Sequence, residues 1–316
     1  MRILPAQALR VLAACGREWQ DAGMNGIAGI ELGGTKTVVV LGTPGAIEAR
    51  EEFPTTTPDE TLNRAIATVR GWQQGRTLEA VGVGSFGPIR VDRAAADFGV
   101  MLDTPKQGWA GADVAGVLEA ALGLPLGLDT DVNAAALAEH RYGAAQGCAN
   151  TAYITIGTGV GVGLLANGVP VHGLMHPEVG HVRLRRAAGD AFAGACPFHG
   201  DCIEGLLSGP ALAARFGRHP ATVEASDPAW HPVALDLAEL LAMLLLAFSA
   251  QRIVVGGGVS NRQPHLLPAA LDRLPGLLGG YLRDCTPAAL ARICVPAALG
   301  DDAGPMGALI VGADLR

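Results

Sequence analysis

Two thiols and an imidazole stand at even intervals in the stretch CPFHGDC, residues 196–202. Cys196, His199 and Cys202 are ligand types that zinc takes in structural sites. Residues spaced this closely can reach one ion from a single loop. Three ligands do not complete a tetrahedral zinc site, so the spacing predicts a fourth ligand elsewhere in the chain.

The fourth ligand is expected among the histidines just upstream. HPEVGH at 176–181 ends in His181, which we take as the fourth ligand, with His172 and His176 as alternatives. A site filled by four side chains leaves no position open for water, so we expect a structural metal rather than a catalytic one. The alternative is a pair of free or buried cysteines with surface histidines nearby.

Carboxylates that can act on a hydroxyl group lie in two places. DTDVN at 129–133 puts Asp129 and Asp131 between an apolar run and a helical stretch. A carboxylate at a strand end is well placed to accept a hydroxyl proton, but Asp is equally suited to cap the helix. Glu178 and Glu204 flank the metal-ligand stretch; they can accept hydrogen bonds from sugar hydroxyls or simply face solvent.

Small glycine turns offer a second kind of chemistry. In GGTK at 33–36 and GTG at 157–159, backbone N–H groups can point at an anion and Thr adds a hydroxyl donor. Neither turn fits the Walker pattern or the dinucleotide fingerprint that opens a helix. One such turn is more often only a turn. Two of them, with GGG at 256–258, resemble the two-lobed, actin-like ATP clamp.

The elements that position these residues follow from the apolar runs. IAGIELGGTKTVVVLG at 27–42 and TAYITIGTGVGVGLLANGVPV at 151–171 both predict strand, glycine turn and strand. This doubling predicts two related lobes that face each other. LPLGLDTDVNAAALAEHRYG at 124–143 predicts a strand, a loop and a helix from near Asn133 to Gly143. Strands alternate with helical stretches, which is typical of the α/β class.

Composition narrows the function. The 316 residues are 49% apolar and 17% charged, with a net charge of -7, so we expect a folded, non-membrane protein with no nucleic-acid partner. Six scattered cysteines favour a reducing cytoplasm over a disulfide scaffold. The run LLAMLLLAFSA at 240–250 is too short to span a membrane and predicts a buried helix.

The N-terminal segment is expected to lie outside the fold. LAAC at 12–15 is similar to a lipoprotein cleavage box, but Gln7 and Arg10 break the apolar stretch before it. Met24 immediately precedes the first strand pattern. We therefore expect residues 1–23 to be an extension or a mis-called start.

These motifs together resemble the ROK family (repressor, open reading frame, kinase), most closely its bacterial fructokinase branch. The segments that carry the resemblance spread over the chain beyond residue 24: GIELGGTKTVVVLG, GVGSFGPI, TPKQGW, LDTDVNAAALAEHRYGAA, YITIGTGVGVGLLANG, HGLMHPEVGHVRLRR, CPFHGDCIEGLLSGPAL, IVVGGGV and GDDAGPMGAL. GHVRLRR followed by CPFHGDCIEGLLSGPA is the most specific part.

The resemblance implies two actin-like (RNase H-like) lobes with the active site in the cleft between them. The N-terminal lobe would span 24–135 and the C-terminal lobe 136–316, with a zinc-binding loop at 181–202 and a last helix that can return to the N-terminal lobe. It implies ATP-dependent transfer of phosphate to the 6-hydroxyl of D-fructose, with ATP, Mg²⁺ and structural Zn²⁺, in a cytoplasmic homodimer.

The resemblance also implies roles for single residues. Asp131 would be the general base. The sugar would be bound by Ser85, Phe86, Gly87, Thr104, Asp131, Glu178, His181 and Glu204. ATP would be bound by Gly33, Gly34, Thr35, Lys36, Gly157, Thr158, Gly159, Gly257 and Gly258. The metal ligands would be His181, Cys196, His199 and Cys202.

Two departures and two alternatives accompany this interpretation. Glu31 stands where many members have Asp, but the fructokinase branch is similar to this chain at that position. The segment DFGVMLDTPK lacks the Tyr and Thr associated with the fructokinase branch, which touches the sugar contacts. Another hexose, such as mannose, glucose or an N-acylated amino sugar, is therefore an alternative substrate. The second alternative is a non-catalytic, sugar-binding regulator of the same family. The short segment before the first strand argues against a DNA-binding domain, and the intact glycine turns and Asp131 argue against a catalytically dead protein.

Overall fold

Two five-stranded mixed sheets form the framework of the protein, whose structure, a computed structural model, describes residues 26–315. The first sheet has the strand order β3-β2-β1-β4-β5 and the second β8-β7-β6-β9-β10. The α/β class and the doubled strand–turn–strand unit are thereby confirmed. The expectations for LAAC and for residues 1–23 lie outside the described residues.

The first sheet contains β1 (Gly26–Leu32), β2 (Lys36–Thr43), β3 (Ala46–Pro54), β4 (Leu78–Ser85) and β5 (Leu126–Thr130). β1, β2 and β3 are antiparallel neighbours, whereas β4 runs parallel to β1 and β5 parallel to β4. The central strands are buried on both faces, so they are continuous apolar runs. The edge strand β3 alternates between more and less exposed residues and carries four charged side chains, at positions 48, 50, 51 and 52.

The second sheet repeats this pattern with β6 (Thr151–Ile156), β7 (Val160–Ala166), β8 (Val169–Pro170), β9 (Arg252–Gly256) and β10 (Cys294–Pro296). β6 pairs antiparallel with β7 and parallel with β9. Asn167 and Gly168 both have positive φ in the turn between β7 and β8, which is typical of the tight hairpin that NG predicts.

The helices form three layers around the sheets. Helices α1 (Pro58–Gln73) and α2 (Val114–Leu122) share a core with one face of the first sheet. The outer face of the second sheet packs against a set that begins with α4 (Ile203–Leu207), α5 (Gly209–Phe216) and α6 (Trp230–Met243). That set continues with α7 (Gly258–Arg262), α8 (Leu266–Leu271), α9 (Leu274–Leu278) and α10 (Pro287–Ile293). Short 3₁₀ turns occur at Val179–His181, Pro220–Thr222 and Gly300–Asp302.

Two helices lie between the sheets: α3 (Asp131–Tyr142) and α11 (Ala303–Ala313). Glycines permit this close packing. A Cβ on Gly82 would overlap the Ala308 carbonyl oxygen of α11, and a Cβ on Gly163 would overlap the Val132 carbonyl oxygen of α3. The last helix therefore packs against the first sheet, while α3, which contains the predicted boundary at residues 135 and 136, contacts both sheets.

Two element boundaries differ from the sequence predictions. Helix α3 begins at Asp131 rather than near Asn133, because the Thr130 hydroxyl accepts the Asn133 N–H and caps the helix. The run at 240–250 belongs to a longer helix, since α6 continues as a π-helical turn over Leu244–Phe248. The whole segment Trp230–Phe248 is long and apolar enough to cross a membrane, but more than half of it is buried inside this fold. A core helix of a soluble protein meets the same length and composition criterion.

Candidate active site

The two glycine turns meet across the cleft. Gly33 and Gly34 lie in the turn between β1 and β2, and the turn of residues 157–159 joins β6 to β7. The hydroxyl oxygens of Thr35 and Thr158, one from each turn, are 3.1 Å apart. A pair of hairpins from the two sheets, each with a Thr hydroxyl and exposed backbone, can hold one anionic group between them.

Lys36 and the third glycine turn complete the predicted ATP-binding set. The Lys36 ammonium is 3.1 Å from Glu52 on the edge strand β3, and its charge also acts on Glu31. Gly257 has a φ of +90°, and a Cβ there would overlap the backbone of Ile156 at the end of β6. The turn containing Gly257 and Gly258 thus packs beside the second hairpin.

Asp131 lies at the start of α3, between the sheets. Its Oδ1 accepts the Val132 N–H at 2.8 Å. Burial, reinforced by the negative charge of Glu178, raises the pKa of Asp131 to about 7. Because Thr130 caps the helix, Asp131 is not the cap. A carboxyl group with a pKa near the working pH is suited to exchange a proton with a hydroxyl.

Asp129 is buried and serves a different purpose. Its Oδ1 accepts the Thr130 N–H and the Asn133 side-chain amide, each at 2.7 Å. The His172 Nε2 lies 3.0 Å from its Oδ2. With its oxygens taken by these donors, Asp129 holds the segment that carries Asp131.

Glu178 and Glu204 stand at different places in the cleft. Burial, with the charge of Glu204, raises the pKa of Glu178 to about 7, and its Oε1 is 3.3 Å from the His176 Nδ1. Glu204, on α4, accepts the Val160 N–H at 3.1 Å and lies against Gly159. Its carboxylate therefore supports the second glycine hairpin directly.

Glu31 is the third carboxyl group with a pKa near 7. Burial and the charge of Asp131 raise its pKa to about 7, although the charges of Lys36 and Arg50 oppose this. Strongly perturbed carboxyls that influence one another within one cleft are typical of functional sites. The structure thus brings Glu31, Asp131 and Glu178 together from strand β1, helix α3 and the loop before the first 3₁₀ turn.

Apart from His181 and the carboxyl groups, the predicted sugar-binding residues are the segment of residues 85–87 and, separately, Thr104. Gly87 lies against the His176 ring and the Glu178 carboxylate, so the segment of residues 85–87 faces the loop that carries Glu178. The Ser85 hydroxyl donates to the Phe86 carbonyl oxygen at 2.8 Å, and Phe86 meets Trp109 edge to face. Thr104 accepts the Lys106 N–H at 3.4 Å. Among the described residues, no hydrogen bond joins Thr104 to Asp131 or Glu178, so its sugar-binding role stays a prediction.

The four predicted metal ligands converge. The ligand atoms of His181, Cys196, His199 and Cys202 all lie within 4.8 Å of one another. The His181 Nδ1 is 3.7 Å from the Cys196 Sγ and 3.6 Å from the Cys202 Sγ. A tetrahedral ion about 2.2 Å from each ligand requires ligand separations of about 3.6 Å. One ion therefore fits this set.

The alternative fourth ligands are engaged elsewhere. His172 binds Asp129, while the His176 Nε2 accepts the Ile89 N–H at 3.3 Å. His181 thus completes the cluster. Sequence reasoning considered both of these histidines only as ligands, and the sequence contains no signal that pairs them with Asp129 and Glu178.

A buried ionic network that sequence reasoning missed anchors the loop between His181 and Cys196. Arg186 reaches Asp190 at 2.7 Å, and Asp190 also pairs with Arg215 on α5. Arg215 continues to the buried Asp236 on α6 at 2.8 Å. The loop is therefore fixed at two points, the cysteine and histidine cluster and this network.

Comparison with known proteins identifies the family of this chain. The model of the ROK family matches residues 27–314. The chain belongs to the ROK family. The fructokinase of Pediococcus pentosaceus is 38% identical over 286 residues, which cover 90% of this chain and 96% of that protein. The fructokinase of Zymomonas mobilis is 38% identical over 285 residues, or 88% of this chain and 93% of that protein.

A solved structure supports the same assignment. A ROK family glucokinase from Streptomyces griseus, in complex with glucose and AMPPNP, has a TM-score of 0.72 and 26% identity, covering 92% of this chain and 100% of that chain. The predicted resemblance to the ROK family and its fructokinase branch is confirmed. So is the two-lobed ROK fold.

Proposed function

We propose that this ROK protein transfers the γ-phosphoryl group of ATP to the 6-hydroxyl of D-fructose. The observation that carries the proposal is the position of Asp131, a carboxyl group with a pKa of about 7 in the cleft lined by the two glycine hairpins. The similarity to fructokinases over about nine-tenths of the chain supports fructose as the sugar.

In this mechanism the ionised Asp131 accepts the proton of the sugar 6-hydroxyl as that oxygen attacks the γ-phosphorus atom. The transferred phosphoryl group leaves ADP, and the sugar oxygen becomes the phosphate ester. Catalysis depends on position and charge, because phosphoryl transfer requires little covalent chemistry from the protein. Glu178 accepts hydrogen bonds from sugar hydroxyls beside Asp131, and Thr35 and Thr158 bind the phosphates.

Mg²⁺ is the divalent ion that we propose at the phosphates. When bound with ATP, it offsets the negative charge of the triphosphate. Glu31 fits this requirement, because it is the penultimate residue of β1, just before the first hairpin, and carboxylate oxygens are ligands that Mg²⁺ accepts.

Zinc is the ion that we propose for the cluster of His181, Cys196, His199 and Cys202. Two thiolates and two imidazoles at tetrahedral spacing suit zinc better than magnesium, which takes oxygen ligands. With four protein ligands the ion is structural: it would fix the loop that carries His181 and leads into α4, where Glu204 supports the second hairpin. We further propose a cytoplasmic homodimer, on the family resemblance alone.

The proposal is tested by ADP release from ATP and Mg²⁺ with fructose, mannose, glucose or N-acetylmannosamine as acceptor. We expect the highest kcat/KM with fructose. Preference for another hexose would overturn fructose as the substrate but keep the phosphoryl-transfer reaction. Another hexose is an alternative because the segment DFGVMLDTPK departs from the fructokinase pattern. A folded, metal-loaded protein that turns over no sugar would overturn the kinase proposal.

A further inference from the structure

The loop of residues 171–178 carries a side chain that reaches from the second sheet to the first. This loop follows β8, the edge strand of the second sheet. His172 extends from it to Asp129, the penultimate residue of β5 in the first sheet. Its Nε2 lies 3.0 Å from Oδ2 and 3.2 Å from Oδ1 of Asp129.

Asp129 links His172 to the segment that carries Asp131. Its side chain is 5% exposed, and its Oδ1 accepts the Thr130 N–H and the Asn133 amide, both at 2.7 Å. Thr130 and Asn133 flank Asp131 on either side. One carboxylate thus holds a residue on each side of Asp131, and His172 adds a further hydrogen bond to that carboxylate from the opposite half of the cleft.

We propose that His172 is a positioning residue for phosphoryl transfer, which holds Asp129 and through it the location of Asp131 relative to the sugar. The inference rests on the proposed function. His172 need not touch the substrate: a displacement of the reacting groups by about 1 Å can lower the rate by on the order of 100-fold. The contact also links the loop that carries Glu178 to the strand that leads into Asp131.

The other charged side chains around His172 are engaged with partners of their own. Arg90, Asp92 and Arg93 line the same pocket. Arg90 is 3.1 Å from Asp97, Arg93 is 3.5 Å from Glu119, and the Asp92 Oδ1 accepts the Ala94 N–H. Asp129 is therefore the carboxylate in direct contact with His172.

Protonation strengthens this link. The hydrogen bond with Asp129 raises the pKa of His172, against the opposing effect of partial burial. Because the folded-state pKa is raised, the stabilisation is complete below the usual value of about 6.5 and declines as pH rises through the raised pKa. A neutral imidazole can still donate through Nε2–H, so the contact persists above that range.

Three variants separate the hydrogen bond from the general fold. In H172Q the side-chain amide can donate near the position of Nε2, in H172A no donor remains, and H231A removes an exposed histidine at the start of α6. We expect kcat with fructose to fall at least about tenfold in H172A and to stay within about threefold of wild type in H172Q. The KM for ATP should stay within about twofold in each variant, since the hairpins are unaltered. H231A should match wild type.

A second readout is independent of turnover. Hydrogen exchange of the peptide covering residues 126–137 should be faster in H172A than in wild type, H172Q and H231A, because the Thr130 amide loses part of its support. A kcat for H172A within about twofold of wild type, or equal losses in H172A and H172Q, would overturn the proposal. If the wild type phosphorylates no sugar, the proposed function fails on its own; unchanged exchange in H172A would then separately overturn the positioning contact.

Discussion

The pH dependence of kcat/KM for fructose follows from the buried carboxyls of the cleft. Asp131 has a pKa of about 7, and in the proposed mechanism it must be ionised to accept the sugar proton. With this pKa, about nine-tenths of the carboxyl is ionised at pH 8 and about one-tenth at pH 6. Asp131 alone therefore predicts a roughly tenfold fall in kcat/KM between pH 8 and pH 6.

The fall in kcat/KM is larger if Glu178 must also be ionised. Its pKa is also raised to about 7, and its charge contributes to the raised pKa of Asp131. If both carboxyls must be ionised, the fall approaches about 100-fold. The decrease expected from Asp131 and Glu178 thus lies between about tenfold and 100-fold, and its pKa values belong to the pair rather than to either residue.

The Glu178→Gln variant tests the physical cause. Removing the Glu178 charge should lower the pKa of Asp131, so the acidic limb of the profile should move to lower pH even though fructose binds less well. Glu224→Gln, at an exposed site, is the matched control. ADP is quantified directly at saturating ATP and Mg²⁺ from pH 5.5 to 8.5. A flat profile over this range, or a limb that stays in place in the Glu178 variant, would refute the reasoning.

Four further outcomes are expected. Cys202→Ser should lose the metal, measured by elemental analysis, and melt at a lower temperature, whereas Cys285→Ser should keep both properties; a metal-free yet fully stable Cys202 variant would exclude a structural ion. Thr35→Val should raise the KM for ATP about tenfold and change the KM for fructose less than about twofold, since one charge-assisted hydrogen bond to phosphate is lost. Equal changes for both substrates would argue against a phosphate hairpin. Arg215→Met should lower the free energy of unfolding by about 3 kcal/mol in urea denaturation, because the buried Asp236 loses its cation while Asp190 keeps Arg186. Asp131→Asn should melt above wild type at pH 8, by a margin that shrinks below pH 7, because the buried wild-type carboxyl carries its charge only above its raised pKa.

The framework was predictable because its signals are local. Each glycine turn lies between two β-branched runs, so the sequence predicts both hairpins and, from their doubling, the facing sheets. The ligands Cys196, His199 and Cys202 are close in sequence, and their spacing alone predicts a metal site. The loop DTDVN offered both Asp129 and Asp131 as candidate carboxylates, and the family resemblance, not the spacing, selected Asp131.

The remainder depends on tertiary contacts that a sequence does not reveal. His172 and His176 belong to the same short loop, yet one binds Asp129 and the other lies beside Glu178. The start of α3 was misplaced because Thr130 and the two neighbouring Asp residues all favour capping positions. The raised pKa values arise from burial between the sheets, which no spacing of acids predicts.

Fructose-dependent ADP release by Asp131→Asn, compared with wild type and accompanied by fructose titration calorimetry on the same samples, tests the central claim most directly. We predict that kcat falls at least about 1,000-fold, as expected for the loss of a general base at the reacting hydroxyl, while the Kd for fructose changes less than about fivefold. A kcat close to that of wild type, with fructose bound normally, would contradict the account.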